Sequence, residues 1–360
     1  MNIMFRSFPF NAWIGLIGAV IVLAALKAAN AVVAPVAFAL FLIALLWPLQ
    51  SRLQSVMPRL LALTVSILVL VITFGGFASL IAWGFGRVGR WGLANLGRFQ
   101  ELYDRGTAWL EEHGIAVASL WADHFNVGWV LGVIQKFTGH VNTTLSFWVI
   151  VLVYVILGLL EVDGTASKIR RLPDAATVRF LSDGSARTAS KIRRFMAVRT
   201  LMSLLTGVLV WAFAALLGLP LAREWGVIAF TLNYIPFLGP LIATLFPTLL
   251  AALEFGSWQS VLFVFASLNV IQSVVGSYVE PRVSGTALAM SPFLVLFSIF
   301  LWTFLWGLPG TFIGVPITVA VLTFCAEHPE TRWLAMLFGP ADDKDGAMGA
   351  EAAREPILPD

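Results

Sequence analysis

Residues 225–253 read WGVIAFTLNYIPFLGPLIATLFPTLLAAL, twenty-nine positions without a charged side chain. As one straight helix they would reach about 43 Å at 1.5 Å per residue, against a hydrocarbon core of roughly 30 Å. Pro236 and Pro240 fall near the middle and remove two backbone donors, so the stretch is expected to break there. Carbonyls freed in that way find no partner in hydrocarbon, and such backbone must be buried in protein or border water.

Seven more apolar stretches surround this one, at 11–26, 31–47, 60–83, 144–160, 200–219, 258–279 and 291–325. Hydrophobic residues make up 59% of the 360 residues and charged residues 12%, where a soluble domain carries roughly 25% charge. The pattern is that of an all-α, polytopic membrane protein with about eight hydrophobic stretches, its main partner the lipid bilayer. The last stretch, about 52 Å if straight, contains Gly307, Pro309, Gly310, Gly314 and Pro316. It and 225–253 are expected to be broken, and either re-entrant hairpins flanking the helix at 258–279 or crossing helices. Hairpins place Arg282 on the inner side; crossing helices place it outside.

Lys and Arg set the orientation. Lys168, Arg170, Arg171, Arg179, Arg187, Lys191, Arg193, Arg194 and Arg199 follow the fourth stretch, which puts that segment in the cytoplasm and most simply anchors it to anionic lipid. Counting back places Arg6, Arg52 and Arg59 on the same side, with both termini. Residues 84–143 then lie outside, where Arg87, Arg90, Arg98, Arg105 and Lys136 are balanced by Glu101, Asp104, Glu111, Glu112 and Asp123. Within them Trp91, Leu96, Phe99, Leu102, Leu110 and Ile115 recur near helical spacing, so an amphipathic helical external insertion is expected, against the membrane or a neighbouring subunit of a homo-oligomer.

The resulting divisions are N-terminal spans 1–83, the insertion 84–143, a span 144–160, a basic helical segment 161–199, a half carrying the Gly/Pro breaks 200–326, and an exposed tail 327–360. Ala29-Asn30-Ala31 has the form of a signal-peptidase site. Lys27 beside it, and the apolar run that follows at once, favour a two-span hairpin with a short outer turn.

On the helix at 258–279, Asn269, Gln272, Gly276 and Glu280 share one helical stripe, with Ser273 and Ser277 beside it. Amides in hydrocarbon seek partners, so this face either bonds to neighbouring helices or lines a path. Glu280, a carboxylate at a span end, either takes up a proton or cation or is held by Arg282. Glu161, Asp163 and Glu254 border spans as interfacial groups. His113, His124, His140 and His328 lack ligand spacing and Cys325 is alone, so neither a metal nor a cofactor is expected. The net charge of +3 gives no nucleic-acid reading.

The chain holds no Gly-rich phosphate loop ending in Lys-Ser or Lys-Thr, no Gly-x-Ser-x-Gly and no His-Glu-x-x-His. The expectation is therefore no enzyme and no ATP drive. What stands is movement of a small polar or amphipathic solute or an ion, on an H⁺ or Na⁺ gradient or the solute's own. The alternative is a non-transporting scaffold of an envelope complex.

The run Asn233-Tyr234-Ile235-Pro236-Phe237-Leu238-Gly239-Pro240 resembles the N-x-I-P-x-x-G-P element of the AI-2E family of transporters. Glu280-Pro281-Arg282-Val283-Ser284-Gly285 and Met290-Ser291-Pro292 are similar to its E-P-x-x-x-G and S-P stretch, and Gly307, Pro309-Gly310, Gly314 and Pro316 fit its final hairpin. The resemblance implies a multi-pass transporter, or permease, of the bacterial inner membrane. The family is named for export of autoinducer-2, and members are reported to handle other solutes, including Na⁺/H⁺ exchange. Residues and resemblance together give a candidate pathway of Asn233, Pro236, Gly239, Pro240, Asn269, Gln272, Ser273, Gly276, Glu280, Pro281, Gly310, Gly314 and Pro316, with Glu280 coupling the ion.

Overall fold

The computed structural model describes residues 10–112, 141–284, 290–328 and 330–338. Among the described residues every regular element is helical: α1 (Phe10–Ala28), α2 (Asn30–Gln54), α3 (Arg59–Ala94), α4 (Leu96–Glu112), α5 (Val141–Arg170), α6 (Ala175–Leu216), α7 (Ala222–Leu232) and α8 (Leu238–Phe255). Then come α9 (Trp258–Ser273), a π-helical segment (Val274–Val279), α10 (Glu280–Ser284), α11 (Pro292–Trp306), α12 (Leu308–Glu327) and α13 (Arg332–Phe338). Seven of these helices are long and apolar enough to cross a membrane, counting α9 with the π segment and α10 as one; α1 and α11 are shorter and equally apolar. The chain is an all-α polytopic membrane protein.

Helices run past the ends of their apolar cores because nothing in the sequence stops them. α3 continues through residue 83 to Ala94, α5 continues through 160 to Arg170, and α6 joins the basic segment to the next span. The stops are caps. Pro173 precedes Asp174, whose carboxylate accepts from the Ala176 and Thr177 amides at 3.1 and 2.9 Å and so starts α6. The bond from the Thr177 hydroxyl, together with those from the two amides, holds the Asp174 carboxyl below its ordinary range. Ser291 caps α11, with Pro292 in the first turn where its missing N–H has no role.

One expectation fails. The short outer turn between two N-terminal spans is absent: helical bonding runs almost unbroken through Ala29, whose amide bonds Ala25 O at 2.9 Å while its carbonyl accepts from Val33 at 2.9 Å. α1 and α2 meet at a bend and scarcely pack on each other. Residues 28–31, Ala-Ala-Asn-Ala, contain neither Gly nor Pro to reverse the chain.

The bundle has a basic end, holding the α2–α3 and α5–α6 connections, and an opposite end. α2 and α3 form an antiparallel pair around buried Phe38, which packs on Phe74, Trp148 and Phe312. α6 and α7 cross at backbone contact, since a Cβ on Gly226 would stand 2.6 Å from Trp211 Cβ and 2.9 Å from the Gly207 carbonyl. α7 descends from the opposite end beside α3. Glu224 pairs with Arg87 at 2.6 Å, Ile228 touches Gly84, and Tyr234 meets the Phe77 ring at 5.1 Å.

At that same end α8 returns, where Arg98 of α4 bonds Glu254 at 3.0 Å. The α7–α8 hairpin therefore opens toward the opposite end and has its apex inside the bundle. The α11–α12 hairpin is reversed, with Glu327 bonded to Arg187 at the basic end at 2.7 Å. Its apex lies at the α1–α2 bend, where Trp306 Nε1 donates to Leu26 O and the Lys27 ammonium sits 3.4 Å over the Phe304 ring. Residues 113–140, which hold Ile115 and three of the histidines, and the tail from 339 lie outside the described residues.

Candidate functional site

Both long apolar stretches are broken, each by a local device. In the first, α7 ends at Leu232 and the Leu238 amide bonds the Pro236 carbonyl at 2.7 Å, closing a three-residue turn centred on Phe237 with φ 63 and ψ −46. This is the strained γ form, rarely tolerated by a residue with a Cβ. Gly239 follows with no room for a side chain: a Cβ would overlap the Leu232 carbonyl and stand 2.8 Å from Asn233 Cα. Pro240 is the third residue of α8, where an N–H would have no helical partner. It begins a helix rather than interrupting one.

In the second stretch the break is the single residue Gly307, at φ 66 and ψ −141, a conformation open essentially to glycine alone. Gly310 and Gly314 lie beyond it in α12 and let the arms touch, since a Cβ at Gly310 would overlap the Trp302 carbonyl and one at Gly314 would stand 3.0 Å from Trp302 Cβ. Polar bonds stitch the arms, Thr303 to Thr311 at 2.7 Å and Trp302 Nε1 to Thr318 at 3.1 Å. Pro316 is buried inside α12.

At the first apex a polar cluster forms. Asn233 is buried and its amide nitrogen donates to Ser203 Oγ at 3.3 Å; the Tyr234 hydroxyl donates to Thr200 Oγ1 at 3.0 Å. One residue earlier on α6, Arg199 is 8% exposed, and its Nη1 lies 3.2 Å from both carboxylate oxygens of Glu280 on α10. Arg199 is six residues, about 9 Å, further along α6 than Arg193, whose guanidinium donates to the Ala44 carbonyl of α2 at 3.1 Å. On the side away from the pair the Tyr234 ring stacks on Phe312 at 6.2 Å, and Phe312 on Phe38 at 5.9 Å. These rings bridge the two hairpins.

A buried ion pair this deep adds little net stability, because desolvating both charges offsets most of their attraction. Its chemical capability is greater. The carboxylate, with 28% of its side chain exposed, can take a proton or cation, and the guanidinium can take an anion.

Of the residues expected to form a pathway, the structure gathers Asn233 and Glu280 around Arg199, with Pro236, Gly239 and Pro240 building the adjoining turn. Gly310, Gly314 and Pro316 shape the second hairpin. The stripe on α9 parts company with Glu280. Asn269, Ser273 and Gly276 are exposed on the flank of the chain, Gln272 is half-buried, and Asn269 Nδ2 bonds its own helix at Phe265 O, 2.8 Å away.

The cause is the π segment, in which the Glu280 amide bonds Val275 O, five residues back. A single π segment of this kind accommodates one extra residue and turns the helix beyond it by about 100°. Glu280 is thereby swung toward α6 while the stripe is not. Its partner is Arg199 and not Arg282, whose guanidinium lies 3.5 Å over the Tyr278 ring; Pro281 is exposed beside it. Arg199, counted with the basic segment, and Thr200, Ser203 and Tyr234 were not among the expected site residues.

Residues 16–329 match the family model described as AI-2E family transporter. The chain is 34% identical over 166 residues to the "Putative transport protein YhhT" of Escherichia coli (strain K12), covering 46% of this chain and 47% of that protein. It therefore spans about half the length of that relative. With the "AI-2 transport protein TqsA" of the same strain it shares 26% identity over 304 residues, 84% of this chain and 88% of the relative. A "Putative transport protein" of Borreliella burgdorferi is 35% identical over 133 residues, 37% of each chain.

Proposed function

We propose a function that starts from kinship: this chain belongs to the AI-2E family of transporters. It is a secondary transporter that moves a small polar or amphipathic solute, or an ion, on an H⁺ or Na⁺ gradient or on the solute's own. The basic end faces the cytoplasm of a bacterium, in keeping with the positive-inside preference. The observation that carries the reading is the Arg199–Glu280 pair beside the non-helical apex of the α7–α8 hairpin. Charge and open main chain at membrane depth are retained where something passes or binds.

In this reading Asn233, Tyr234 and the Pro236–Pro240 turn form the wall of the passage. Glu280 carries the coupling ion. The Tyr234–Phe312 stack is the closed gate between the hairpins. The TqsA relative is named for AI-2 transport, which makes that signal the first solute to try. Flux into proteoliposomes under imposed H⁺ or Na⁺ gradients is the test. Glu280→Gln is expected to lose gradient-driven flux while remaining folded, and unchanged flux and ion dependence in that variant would remove Glu280 from the mechanism.

A further inference from the structure

The Arg199 guanidinium is only half used. One nitrogen, Nη1, serves both Glu280 oxygens, so the planar fork that normally grips a carboxylate with two parallel bonds is not engaged. Nε is buried and has no hydrogen-bond partner, although the residue is more than nine-tenths buried. Such an orphaned donor on a cation calls for an acceptor. The Tyr234 hydroxyl and the Asn233 amide stand at the same apex, held by Thr200 and Ser203.

The charged and titratable groups around Glu280 are few. α6 presents Arg199 and the apex presents Tyr234; on its own helix are Tyr278 and Arg282, which lean on one another. The next charge along α6, Arg194, is exposed. Neither member of the pair can be left alone at this depth. When Arg199 releases Glu280, the guanidinium needs another anion and the carboxylate needs a proton.

We propose that a small carboxylate solute takes the place of Glu280 at the Arg199 fork while Glu280 takes up one proton, so that one anion and one proton occupy the site together. This rests on the transporter reading and names its solute class. In the step, the Arg199–Glu280 ion pair breaks, an O–H bond forms on Glu280, and the solute carboxylate pairs with Nε and its neighbouring nitrogen. The net charge of the site stays at zero. When the solute leaves, Glu280 returns its proton to water and closes on Arg199. A neutral solute cannot replace the carboxylate, and a cation is repelled by Arg199.

The test is thermal unfolding of the purified full chain in detergent, with acetate, lactate, glycerate and benzoate compared with ethanol, propane-1,2-diol, glycerol and benzyl alcohol. Carboxylates are expected to raise the Tm and the alcohols to leave it unmoved. Apparent carboxylate affinity should rise about tenfold for each unit of pH lowered, as one linked proton requires. In Glu280→Gln the shift should become larger and independent of pH, because Arg199 then stands unpaired. In Arg199→Lys, which keeps the charge without the fork, it should shrink, and in Arg199→Gln vanish.

No carboxylate shift in wild type and Glu280→Gln alike, or a shift that survives Arg199→Gln, overturns the inference. So does dependence on Na⁺ in place of pH. Should Arg199→Gln fail to fold, the pH response of Glu280→Gln decides alone. Binding of this kind without flux in vesicles contradicts the transporter reading and leaves the site standing, whereas flux of alcohols without any carboxylate effect does the reverse.

Discussion

Replacing Arg199 and Glu280 separately and together separates what the pair does for folding from what it does for passage. Arg199 is 8% exposed, so Glu280→Leu strands a cation with little access to water, and the loss should approach the upper range for a broken buried pair, about 3–4 kcal/mol. The Glu280 side chain is 28% exposed and can take up a proton when abandoned. Arg199→Met should therefore cost less, about 1–2 kcal/mol. Arg199→Met with Glu280→Leu leaves no charge behind and should return to within about 1 kcal/mol of wild type. The assay is reversible unfolding in mixed micelles followed by the fluorescence of the fourteen tryptophans, alongside flux in vesicles. A double variant that is stable yet inactive is the expected result. Losses that simply add, or a double variant that still carries coupled flux, would refute this reasoning.

At the first apex Gly239→Ala should disrupt the hairpin, since the new methyl meets backbone at Leu232 and Asn233, while Gly276→Ala, which meets nothing within 4 Å, should be silent; limited proteolysis at 233–240 and flux compare them. Gly307→Ala forces a side chain onto φ 66 and ψ −141 and should destabilise the second hairpin by at least about 1 kcal/mol, read in the same unfolding assay. Asp174, whose carboxyl is held below its ordinary range by its cap bonds, supports the start of α6 fully above the unfolded-state value. That support is lost as pH falls through the lower folded value. Asp174→Ala should remove this acid sensitivity, measured as hydrogen exchange across 174–178.

Much of this architecture was legible from apolar run lengths and from where Gly and Pro fall. Residues 225–253 and 291–325 exceed one membrane thickness, and both are broken, at Pro236–Phe237 and at Gly307. Arg199 was hidden by its position in a row of basic residues. One signal was present: Phe195-Met196-Ala197-Val198 separates Arg199 from Arg194, and an apolar run follows at once, so Arg199 is the one basic residue of that row with apolar sequence on both sides. The turn of Glu280 away from Asn269 was not readable, because a π segment has no composition of its own. The bend at Ala29 escaped for a related reason: charge patterning counts segments and does not report how they are joined.

Ser203 bonds Asn233 beneath the first apex and is fully buried, so water can reach it only if the hairpin lifts during passage. In a Cys325→Ser background, Ser203→Cys should react with a membrane-impermeant thiosulfonate in vesicles of known orientation, at a rate that rises when a transported solute is present. No reaction from either side, in a protein whose exposed control Ser185→Cys reacts normally, would mean that the apex is sealed packing and that nothing moves past it.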